Sequence, residues 1–417
     1  MSTKFLHVDG DSFFVACEQA QYPHLKGKPV VVGEERGIAC AMSYEAKALG
    51  VTRGLPIYTI RRELPEVIIL PSHFELYEMY SEKMVAVLKK FLGTVEKYSI
   101  DECFALITDK DAKRYGGYKE LGLLIKNQMQ SELGITFSLG IADTKVLAKV
   151  ASKYQKPDGF TYIEHENIRE YLKKVSIENI WGIGYRTAPK LEALGVHTAY
   201  DFINLNREYI DQYFDLPLQE IWQELNGNSV LGIGGEFQPQ KSLQATQTFP
   251  KASKDRSYIF SELSKNIEIA CERMRDINLS TNHICVFIKT KNFRYYTRDI
   301  KLPFFTQNPS DILRYVHSEF PKIFKHGEEY RTTGITLLNL TSENHIPTDL
   351  FGVQKNIFER KALLDKIDML KSRYGTNVIF LASSMQAQNR KKEEFVKKTK
   401  KDRYIYGLPY PYLGEVL

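Results

Sequence analysis

The chain of 417 residues is too long for one ordinary hydrophobic core, so several domains are expected. Its composition, 43% hydrophobic and 26% charged with a net charge of +6, is typical of a soluble globular protein and permits a polyanionic partner without requiring one. The five cysteines are scattered without a CxxC pair, which argues against a disulfide framework and a zinc site. No apolar run reaches the length of a membrane span, which argues against a membrane protein. Together these observations predict a cytoplasmic location.

The first part of the chain alternates between strand and helix patterns. The apolar segment KFLHVDG predicts a strand that ends at Asp9, and a helix is expected in SFFVACEQAQ. Next come a buried strand, a turn at residues 33–37, a second strand in GIACAM and a short helix stopped by Gly50. A helix near residues 75–92, a hairpin around Asp101 and a helix–strand–helix run follow. This β-α-β-β-α-β order predicts an α+β, split βαβ (ferredoxin-like) domain with a small inserted subdomain.

The rest of the chain changes character twice. Residues from about 168 to 232 predict helices alone, and the aperiodic GIGGEFQPQKS that follows is typical of a linker. Alternating strands return over about 245–340, including the hairpin pattern HICVFIKTKNFRYYTRDIKL. The tail holds one helical stretch and a lysine-dense run at 391–401, which fits either a DNA-binding tail or a charged helix.

Two adjacent carboxylates, Asp101 and Glu102, interrupt the apolar run VEKYSIDECFALIT. A hairpin explains them, because residues at the turn are free of strand alternation and both side chains can project from one end of the sheet. Asp9, at the end of the first strand, is the natural third acid. Three converging carboxylates need divalent cations, and oxygen ligands suit Mg²⁺. Exposed acidic hairpin turns are also common, and the spacing alone does not decide between the two interpretations.

Three motifs in this order, LHVDGDSFFVACE, YSIDE and GIADTKVLAKVASKYQKPDG, closely resemble the Y-family (translesion) DNA polymerases. The resemblance extends over about residues 4–340. It implies a right-hand polymerase with a palm, small fingers, a helical thumb with a helix-hairpin-helix, and an α/β little finger. The implied boundaries are palm 1–18 and 78–166, fingers 19–77, thumb 167–232, linker 233–244, little finger 245–341 and C-terminal tail 342–417.

The resemblance also implies an activity and a metal site. The activity is template-directed, low-fidelity DNA synthesis that bypasses damaged template during DNA repair or an SOS-type response. Asp9, Asp101 and Glu102 match the metal ligands, with the Gly10 carbonyl completing a site for two Mg²⁺ ions, for which Mn²⁺ is a possible substitute. Asp11 also matches the motif, but strand alternation turns it away from Asp9, so it is not expected to be a ligand.

Further residues match positions that hold the incoming nucleotide. Phe14 matches the steric gate, an aromatic ring that leaves no room for a ribose 2′-hydroxyl. The residues that match the triphosphate-binding set are Phe13, Tyr44, Lys47, Arg53 and Lys156. A lysine at position 47, where arginine is commoner in the family, predicts a looser grip on phosphate. The strand GIACAM is expected to cover the nascent base pair with Ile38 and Cys40 on one face and Ala41 nearby.

Two segments are expected to hold primer–template DNA. GIGYRTAPKLEALGV predicts a helix-hairpin-helix in which Gly182 and Gly184 let backbone N–H groups approach a phosphate, assisted by Arg186 or Lys190. A basic hairpin face in the little finger suits a nucleic-acid backbone, and the residues predicted to bind it are Lys289, Lys291, Arg294, Arg298 and Arg331. Plain helical turns and solvated strand faces remain the alternatives.

One further partner and two rival functions complete the expectations. HIPTDLF at residues 345–351 lies where relatives carry a sliding-clamp motif, although only its Leu350–Phe351 end fits. The rivals are a catalytically silent DNA-binding scaffold on the same fold and a palm-type nucleotide cyclase. The presence of all three acids argues against the scaffold, and the helix-hairpin-helix and the basic β domain have no role in a cyclase.

Overall fold

A computed structural model of the chain describes residues 3–234, 240–342, 345–346, 361–375 and 378–389. The chain forms two compact units, residues 1–237 and 238–417. Within the described ranges, no helix has both the length and the apolar character needed to cross a bilayer.

The first unit contains eight strands and twelve α-helices among its described residues. The strands are β1 (Thr3–Gly10), β2 (Val30–Val32), β3 (Ala41–Met42), β4 (Ile68–Leu70), β5 (Thr94–Lys97), β6 (Glu102–Thr108), β7 (Phe137–Ala142) and β8 (Phe160–Tyr162). The helices are α1 (Phe13–Gln21), α2 (Tyr44–Ala48), α3 (Ile57–Glu63), α4 (Phe74–Lys89), α5 (Asp109–Arg114), α6 (Tyr118–Leu133), α7 (Lys145–Tyr154), α8 (Ile168–Leu172), α9 (Ala188–Glu192), α10 (Ala199–Ile203), α11 (Arg207–Tyr213) and α12 (Leu216–Leu225).

A five-stranded sheet in the order β5-β6-β1-β7-β8 carries the predicted palm. Its pairs are antiparallel except β7 with β8, a three-residue edge strand that the sequence did not predict. Side chains of β1 alternate between two layers. Leu6 and Val8 pack into the core with α1, α4 and α6, whereas Phe5 packs into the core that contains α7. Asp9 is an odd-numbered residue like Phe5, so alternation turns it towards α7 as well.

The inserted subdomain is a small sheet, β3-β2-β4, in which β2 pairs antiparallel with β3 and parallel with β4. The predicted continuous strand GIACAM is wrong: its regular part is only Ala41–Met42, and Ile38 makes an isolated bridge to Pro56. Gly33 explains the break. A Cβ there would lie 2.3 Å from the Ile38 carbonyl oxygen, so the chain curls around this glycine, which has φ +127°.

Helices α8–α12 share one hydrophobic core with α7, which joins the predicted thumb to the palm. Thr144 and Glu224 fix this joint, because the Thr144 hydroxyl donates to the Glu224 carbonyl at 2.8 Å and the Glu224 carboxylate accepts from the Val146 N–H at 3.1 Å. Pro189 lies in the first turn of α9, the position where a proline is tolerated. The all-helical prediction for this segment is confirmed.

The second unit is a four-stranded antiparallel sheet in the order β11-β10-β12-β9, with the short β13 beside β10 and two helices packed on one face. Its elements are β9 (Leu243–Ser253), α13 (Arg256–Asp276), β10 (Leu279–Thr290), β11 (Tyr295–Thr306), α14 (Pro309–Ile323), β12 (Tyr330–Leu338), β13 (Thr341–Ser342) and α15 (Lys361–Tyr374). The first strand begins two residues before the predicted boundary at 245.

Helix α15 packs on the outer side of α13 through ion pairs. Arg275 contacts both carboxylate oxygens of Asp368, at 2.5 and 2.8 Å, and Lys371 lies 3.0 Å from Glu272. The predicted clamp segment lies outside the described residues except for 345–346, and the lysine-dense run at 391–401 lies wholly outside them.

Candidate active site

Asp9 and Glu102 lie directly opposite each other at one end of the palm sheet. They are paired in the antiparallel register of β1 and β6, and directly paired residues project to the same face, which here is the face covered by α7. Asp101 lies in the preceding turn, as predicted, but Glu102 is already the first residue of β6. The turn is anchored because the Gly10 N–H donates to the Asp101 carbonyl at 2.9 Å and the Ser99 hydroxyl donates to the Asp101 carboxylate at 2.6 Å.

Lysines neutralise two of the three acids. Lys156 forms an ion pair with Asp9, and Lys149 on α7 lies 2.8 Å from Glu102 Oε2. Each acid is therefore turned towards its own donor, and the described residues contain no group of three or more carboxylate, histidine or cysteine side chains arranged to hold a metal ion. Like charges converging on a sheet end repel, and the two ammonium groups relieve that repulsion.

Asp9 is the buried acid among the three, and its pKa is raised. It is 6% exposed, and burial raises its pKa to about 6, with Glu102 and Asp101 adding to the rise and Lys156 opposing it. Beneath it, burial and the charge of Lys149 hold the pKa of His7 well below its usual range. The Nδ1 atom of His7 lies 2.7 Å from the Ser152 hydroxyl. The His7 ring is therefore neutral, and the positive charge at this face comes from lysines.

The chemistry of the predicted donors suits a hard divalent cation, although their side chains do not converge while they are paired with lysines. Three carboxylates and a backbone carbonyl supply only oxygen ligands, the kind that Mg²⁺ prefers. Two of these carboxylates already attract cations, in the form of the Lys156 and Lys149 ammonium groups. Asp11 belongs to another network, since it accepts from the Ser138 hydroxyl and the Asp158 N–H, each at 2.8 Å. That arrangement agrees with its exclusion from the predicted ligands, but the reason given was wrong: alternation would put residues 9 and 11 on one face, and Asp11 differs because β1 ends at Gly10.

Phe14 is held flat against a buried tyrosine. Its ring stacks on Tyr77 with centroids 4.4 Å apart and an interplanar angle of 11°. The Tyr77 hydroxyl donates to the fully buried Glu18 at 2.6 Å, and His73 Nδ1 lies 2.8 Å from the same carboxylate oxygen. This network fixes the orientation of the Phe14 ring from below.

Gly10 and Phe13 are packed together. A Cβ at position 10 would lie 2.5 Å from the Phe13 ring, and Phe13 is only 3% exposed in the palm core. The Phe13 ring thus serves packing in the core. A side chain at position 10 would have to displace this ring, which favours glycine there.

Two of the predicted phosphate-binding residues, Lys47 and Tyr44, lie beside Ser12. Lys47 donates to the Ser12 hydroxyl at 3.3 Å and lies 4.1 Å above the ring of Tyr44. Burial, followed by Asp11 and Asp9, raises the pKa of Tyr44 to about 12, so its hydroxyl remains a donor. Burial and the charge of Lys156 lower the pKa of Lys47.

The remaining candidates for the nucleotide site make no hydrogen bond or ion pair with the three acids among the described residues. Arg53 is exposed and makes no ion pair among the described residues. Ile38 is 43% exposed, Cys40 is half-buried with its Sγ 3.7 Å from the Ile38 carbonyl, and Ala41 lies on β3. Because the strand is broken, Ile38 and Cys40 do not share a regular strand face.

The hairpin before α9 is exposed at its tip. Gly182 has φ +86°, and a Cβ there would meet the Ile221 side chain at 2.4 Å, so only glycine fits. Gly184 has open space around it, and its carbonyl accepts from the N–H groups of Thr187 and Ala188. The guanidinium of Arg186 lies over the ring of Tyr185, which is 82% exposed, and Lys190 is exposed on α9.

The predicted basic face of the second unit is only partly correct. Lys289 lies on the face opposite the helices, whereas Arg298 pairs with buried Val286 and therefore lies on the helix face, 2.7 Å from Glu319 of α14. Lys291 and Arg294 lie in the loop between β10 and β11. Lys291 has an acidic neighbour, Glu329, at 3.8 Å. Arg331 lies at a register shift of β12 and is half-buried.

Sequence reasoning missed the lysines of α7. Lys145, Lys149 and Lys153 recur every fourth residue, a spacing that aligns them on one helix face towards the acids. The ammonium of Lys149 also lies 4.6 Å from the Tyr98 ring and 5.2 Å from the Trp181 ring, and Lys145 lies 2.8 Å from Glu96. The spacing was visible in the sequence. The pairing of these lysines with Glu102 and Glu96 was not, because those acids come from other elements.

Comparison with known families identifies this arrangement. The impB/mucB/samB family matches residues 8–153, the HHH motif of the IMS family matches residues 165–196, and the impB/mucB/samB C-terminal domain matches residues 240–350. The chain belongs to the impB/mucB/samB family. The HHH motif agrees with the predicted helix-hairpin-helix.

Curated relatives of this family member are named DNA polymerase IV. The protein of Streptococcus pyogenes serotype M1 is 27% identical over 345 residues, covering 81% of this chain and 94% of the relative. The protein of Desulfatibacillum aliphaticivorans is 29% identical over 377 residues, covering 90% and 95%.

Solved structures agree on the fold. A Y-family DNA polymerase chimera matches with a TM-score of 0.69 at 23% identity, covering 82% of this chain and all of that one. An insertion ternary complex of Dbh DNA polymerase matches with a TM-score of 0.53 at 24% identity and the same coverage. The predicted Y-family resemblance and the right-hand polymerase fold are confirmed.

Replacing Tyr77 with phenylalanine tests the support beneath Phe14. Tyr77→Phe removes one of the two partners of the same oxygen of buried Glu18, and losing a hydrogen bond to a charged group costs about 1.5–3 kcal/mol. Urea unfolding of the first unit measures the loss. The matched control is Tyr80→Phe on the same helix, which is half-buried and has no side-chain hydrogen bond among the described residues, so a change below about 0.5 kcal/mol is expected. Equal losses in both variants would contradict the network.

The raised pKa of Asp9 predicts that metal binding depends on pH. A protonated carboxyl is a poor ligand, so the affinity for Mn²⁺ should be level above the pKa of about 6 and fall by about tenfold per pH unit below it. Titration with Mn²⁺ followed by electron paramagnetic resonance at pH 5 to 8 measures this. Asp9→Asn should bind weakly with no step near pH 6, and a wild-type affinity that is constant over this range would refute the prediction.

Proposed function

We propose that this protein is a DNA-directed DNA polymerase of the translesion type that adds deoxynucleotides to a primer 3′-hydroxyl. The observation that carries the proposal is the register of the palm sheet, which pairs Asp9 with Glu102 and leaves Asp101 in the turn beside them. Membership of a family whose curated relatives are named DNA polymerase IV supports the same activity.

The proposed chemistry is phosphoryl transfer with two divalent cations, Mg²⁺ or Mn²⁺. When bound, such ions lower the pKa of the attacking hydroxyl and neutralise charge on the triphosphate and the departing pyrophosphate. Asp9, Asp101, Glu102 and the Gly10 carbonyl would hold them. The side chains of Asp9 and Glu102 must first leave Lys156 and Lys149. Those two ammonium groups keep the acids apart and charged until then.

Released from Asp9, Lys156 is free to contact a triphosphate. Tyr44 and Ser12 complete a group of hydrogen-bond donors next to the acids. We assign triphosphate binding to Lys156, Lys47 and Tyr44, with the Phe13 backbone contributing and Arg53 as a peripheral candidate. Positioning and electrostatic stabilisation are sufficient for this reaction, so no covalent enzyme intermediate is proposed.

Deoxynucleotide selection is assigned to Phe14. Its ring is locked by stacking on Tyr77, so it cannot move aside at low cost for a 2′-hydroxyl. Ile38, Cys40 and Ala41 are proposed to cover the nascent base pair. Small side chains and a broken strand at this position leave space for a distorted template, which is the proposed source of low fidelity.

Primer–template DNA is the proposed partner. Solved structures similar to this chain include ternary complexes of Dbh DNA polymerase, and this chain carries the HHH motif together with exposed cations around it. Gly182, Gly184, Arg186 and Lys190 are proposed to hold a phosphate. Lys289, Lys291 and Arg294 are proposed to contact the DNA backbone, as is Arg331 near the start of β12 in the same sheet. Arg298 is withdrawn from this set because it pairs with Glu319 on the helix face.

An SOS-type role, a cytoplasmic location and clamp binding through residues 345–351 remain predictions. The rivals, a silent scaffold and a nucleotide cyclase, predict different products. A scaffold binds DNA without incorporation, and a cyclase converts a free nucleoside triphosphate without a primer.

Primer extension with wild-type protein and Asp101→Ala separates these functions. We expect extension by wild type and a rate at least about 100-fold lower for Asp101→Ala, because a group that supports transition-state charge is lost. Glu82→Ala, which removes an exposed carboxylate from α4, serves as the control and should extend normally. No extension by wild type would refute the polymerase, and undiminished extension by Asp101→Ala would refute the site.

Competition between deoxy- and ribonucleotides tests the gate. Phe14→Ala should lower the preference for deoxynucleotides at least about tenfold, because the ring no longer occupies the space of the 2′-hydroxyl. Phe14→Tyr keeps the ring and should retain the preference. Single-nucleotide incorporation kinetics measure both, and an unchanged preference in Phe14→Ala would refute the assignment.

A further inference from the structure

The loop between β10 and β11 presents an exposed aromatic residue in an unfavourable conformation. Phe293 has φ +64°, in the left-handed region that bulky residues avoid, and it is 76% exposed. Its neighbour Asn292 is a residue type that tolerates this region well. The position therefore combines a strained backbone conformation with an exposed apolar ring. Such strained, exposed positions concentrate at binding sites.

Hydrogen bonds hold this loop in place. Thr290 is the centre of the network: its N–H donates to the Arg294 carbonyl at 2.9 Å, its carbonyl accepts from the Phe293 N–H at 3.0 Å, and its hydroxyl accepts from the Arg294 N–H at 3.1 Å. The Lys291 N–H donates to the Glu329 carbonyl at 2.8 Å, which ties the loop to the segment before β12. The ring of Phe293 is thus presented by a fixed backbone.

A second aromatic ring and an ammonium group lie beside Phe293. Lys289 Nζ lies 5.3 Å from the Phe293 ring centroid and 5.2 Å from that of Tyr295, which is 58% exposed. Tyr295 contacts Phe287, at 5.5 Å between centroids. Phe287 lies close over Gly334, where a Cβ would come within 2.4 Å of its ring. These contacts support the exposed rings from below.

We call Phe293, Tyr295 and Lys289 the hairpin platform. All three lie on or beside the sheet face that the helices leave uncovered, since Lys289 and Tyr295 are paired in register. Two further cations, Lys291 and Arg294, flank the platform, and Glu329 is the acid in contact with Lys291. The surroundings are therefore positively charged, which suits a polyanion rather than an apolar protein surface.

We propose that the hairpin platform is a stacking site for unpaired bases of a single-stranded nucleic acid. Exposed aromatic rings flanked by cations bind single strands in this way, because every base has a stacking face while the ammonium and guanidinium groups contact the phosphates. Duplex DNA offers the same phosphates but keeps its bases stacked inside. This inference rests on the proposed function, which supplies a DNA partner, and it adds a site for template that is not base-paired.

Phe293→Asn tests the platform without endangering the fold. Asparagine accepts φ +64°, so the variant should unfold at the same temperature as wild type or higher. Its affinity for a fluorescein-labelled dT12 oligonucleotide should fall roughly 5- to 100-fold, the effect of losing one base–aromatic stack. Its affinity for a blunt duplex of the same length should change less than threefold. Fluorescence anisotropy without added metal measures both.

Two variants control the comparison. Phe293→Trp keeps a stacking ring and should retain the affinity for dT12. Tyr374→Ala removes an exposed tyrosine that also lies beside a cation, Arg373 at 5.4 Å, but on α15 of the same unit, and should bind dT12 as wild type does. An oligonucleotide with 5-iododeoxyuridine should crosslink to Phe293 or Tyr295 on irradiation.

Three results would overturn the platform: full dT12 affinity in Phe293→Asn, an equal loss for dT12 and duplex, or crosslinks confined to other residues. These measurements need no catalysis. A wild-type protein that fails to extend a primer would overturn the proposed polymerase and leave the binding comparison intact. A protein that extends while Phe293→Asn keeps its dT12 affinity would overturn the platform alone.

Discussion

The pairing of Asp9 with Glu102 is the constraint on which the first unit depends. Antiparallel register forces two carboxylates onto one face at one end of the sheet, and Asp101 adds a third charge from the turn. Two lysines relieve the repulsion between these charges, because Lys149 contacts Glu102 and Lys156 contacts Asp9 directly. Helix α7 must therefore lie across β1, and the packing of α7 against helices α8–α12 carries the predicted thumb with it.

Much of this architecture follows from sequence patterns alone. The apolar segment KFLHVDG correctly predicts a strand at the start of the chain, and the apolar run around Asp101 correctly predicts a hairpin. Residues whose role depends on a single element were the easiest to identify. The helix-hairpin-helix is an example, since its signal lies within the single short segment GIGYRTAPKLEALGV.

Other features could not be derived because they depend on contacts between distant segments. Lys149 faces Glu102 only because α7 crosses the sheet, and Arg298 lies on the helix face only because the loop between β10 and β11 sets the register. The strand in GIACAM was overpredicted because the close approach of Gly33 breaks it, and β8 is too short to give a clear pattern. In each case the deciding partner lies far away in the sequence or its effect is steric.

The outer side of α13 is polar and yet buried. Lys265 is 6% exposed and contacts Gln388 at 3.1 Å, while Glu268 accepts from the Leu381 N–H and from Ser384. Contacts of this kind are directional and, where charged, are screened by salt. The segment that contains α15 therefore adheres to the second unit largely by matching donors with acceptors. Its detachment would expose a polar helix face that water can solvate. The segment can therefore separate from α13 at a lower cost in exposed apolar surface than an element of the core.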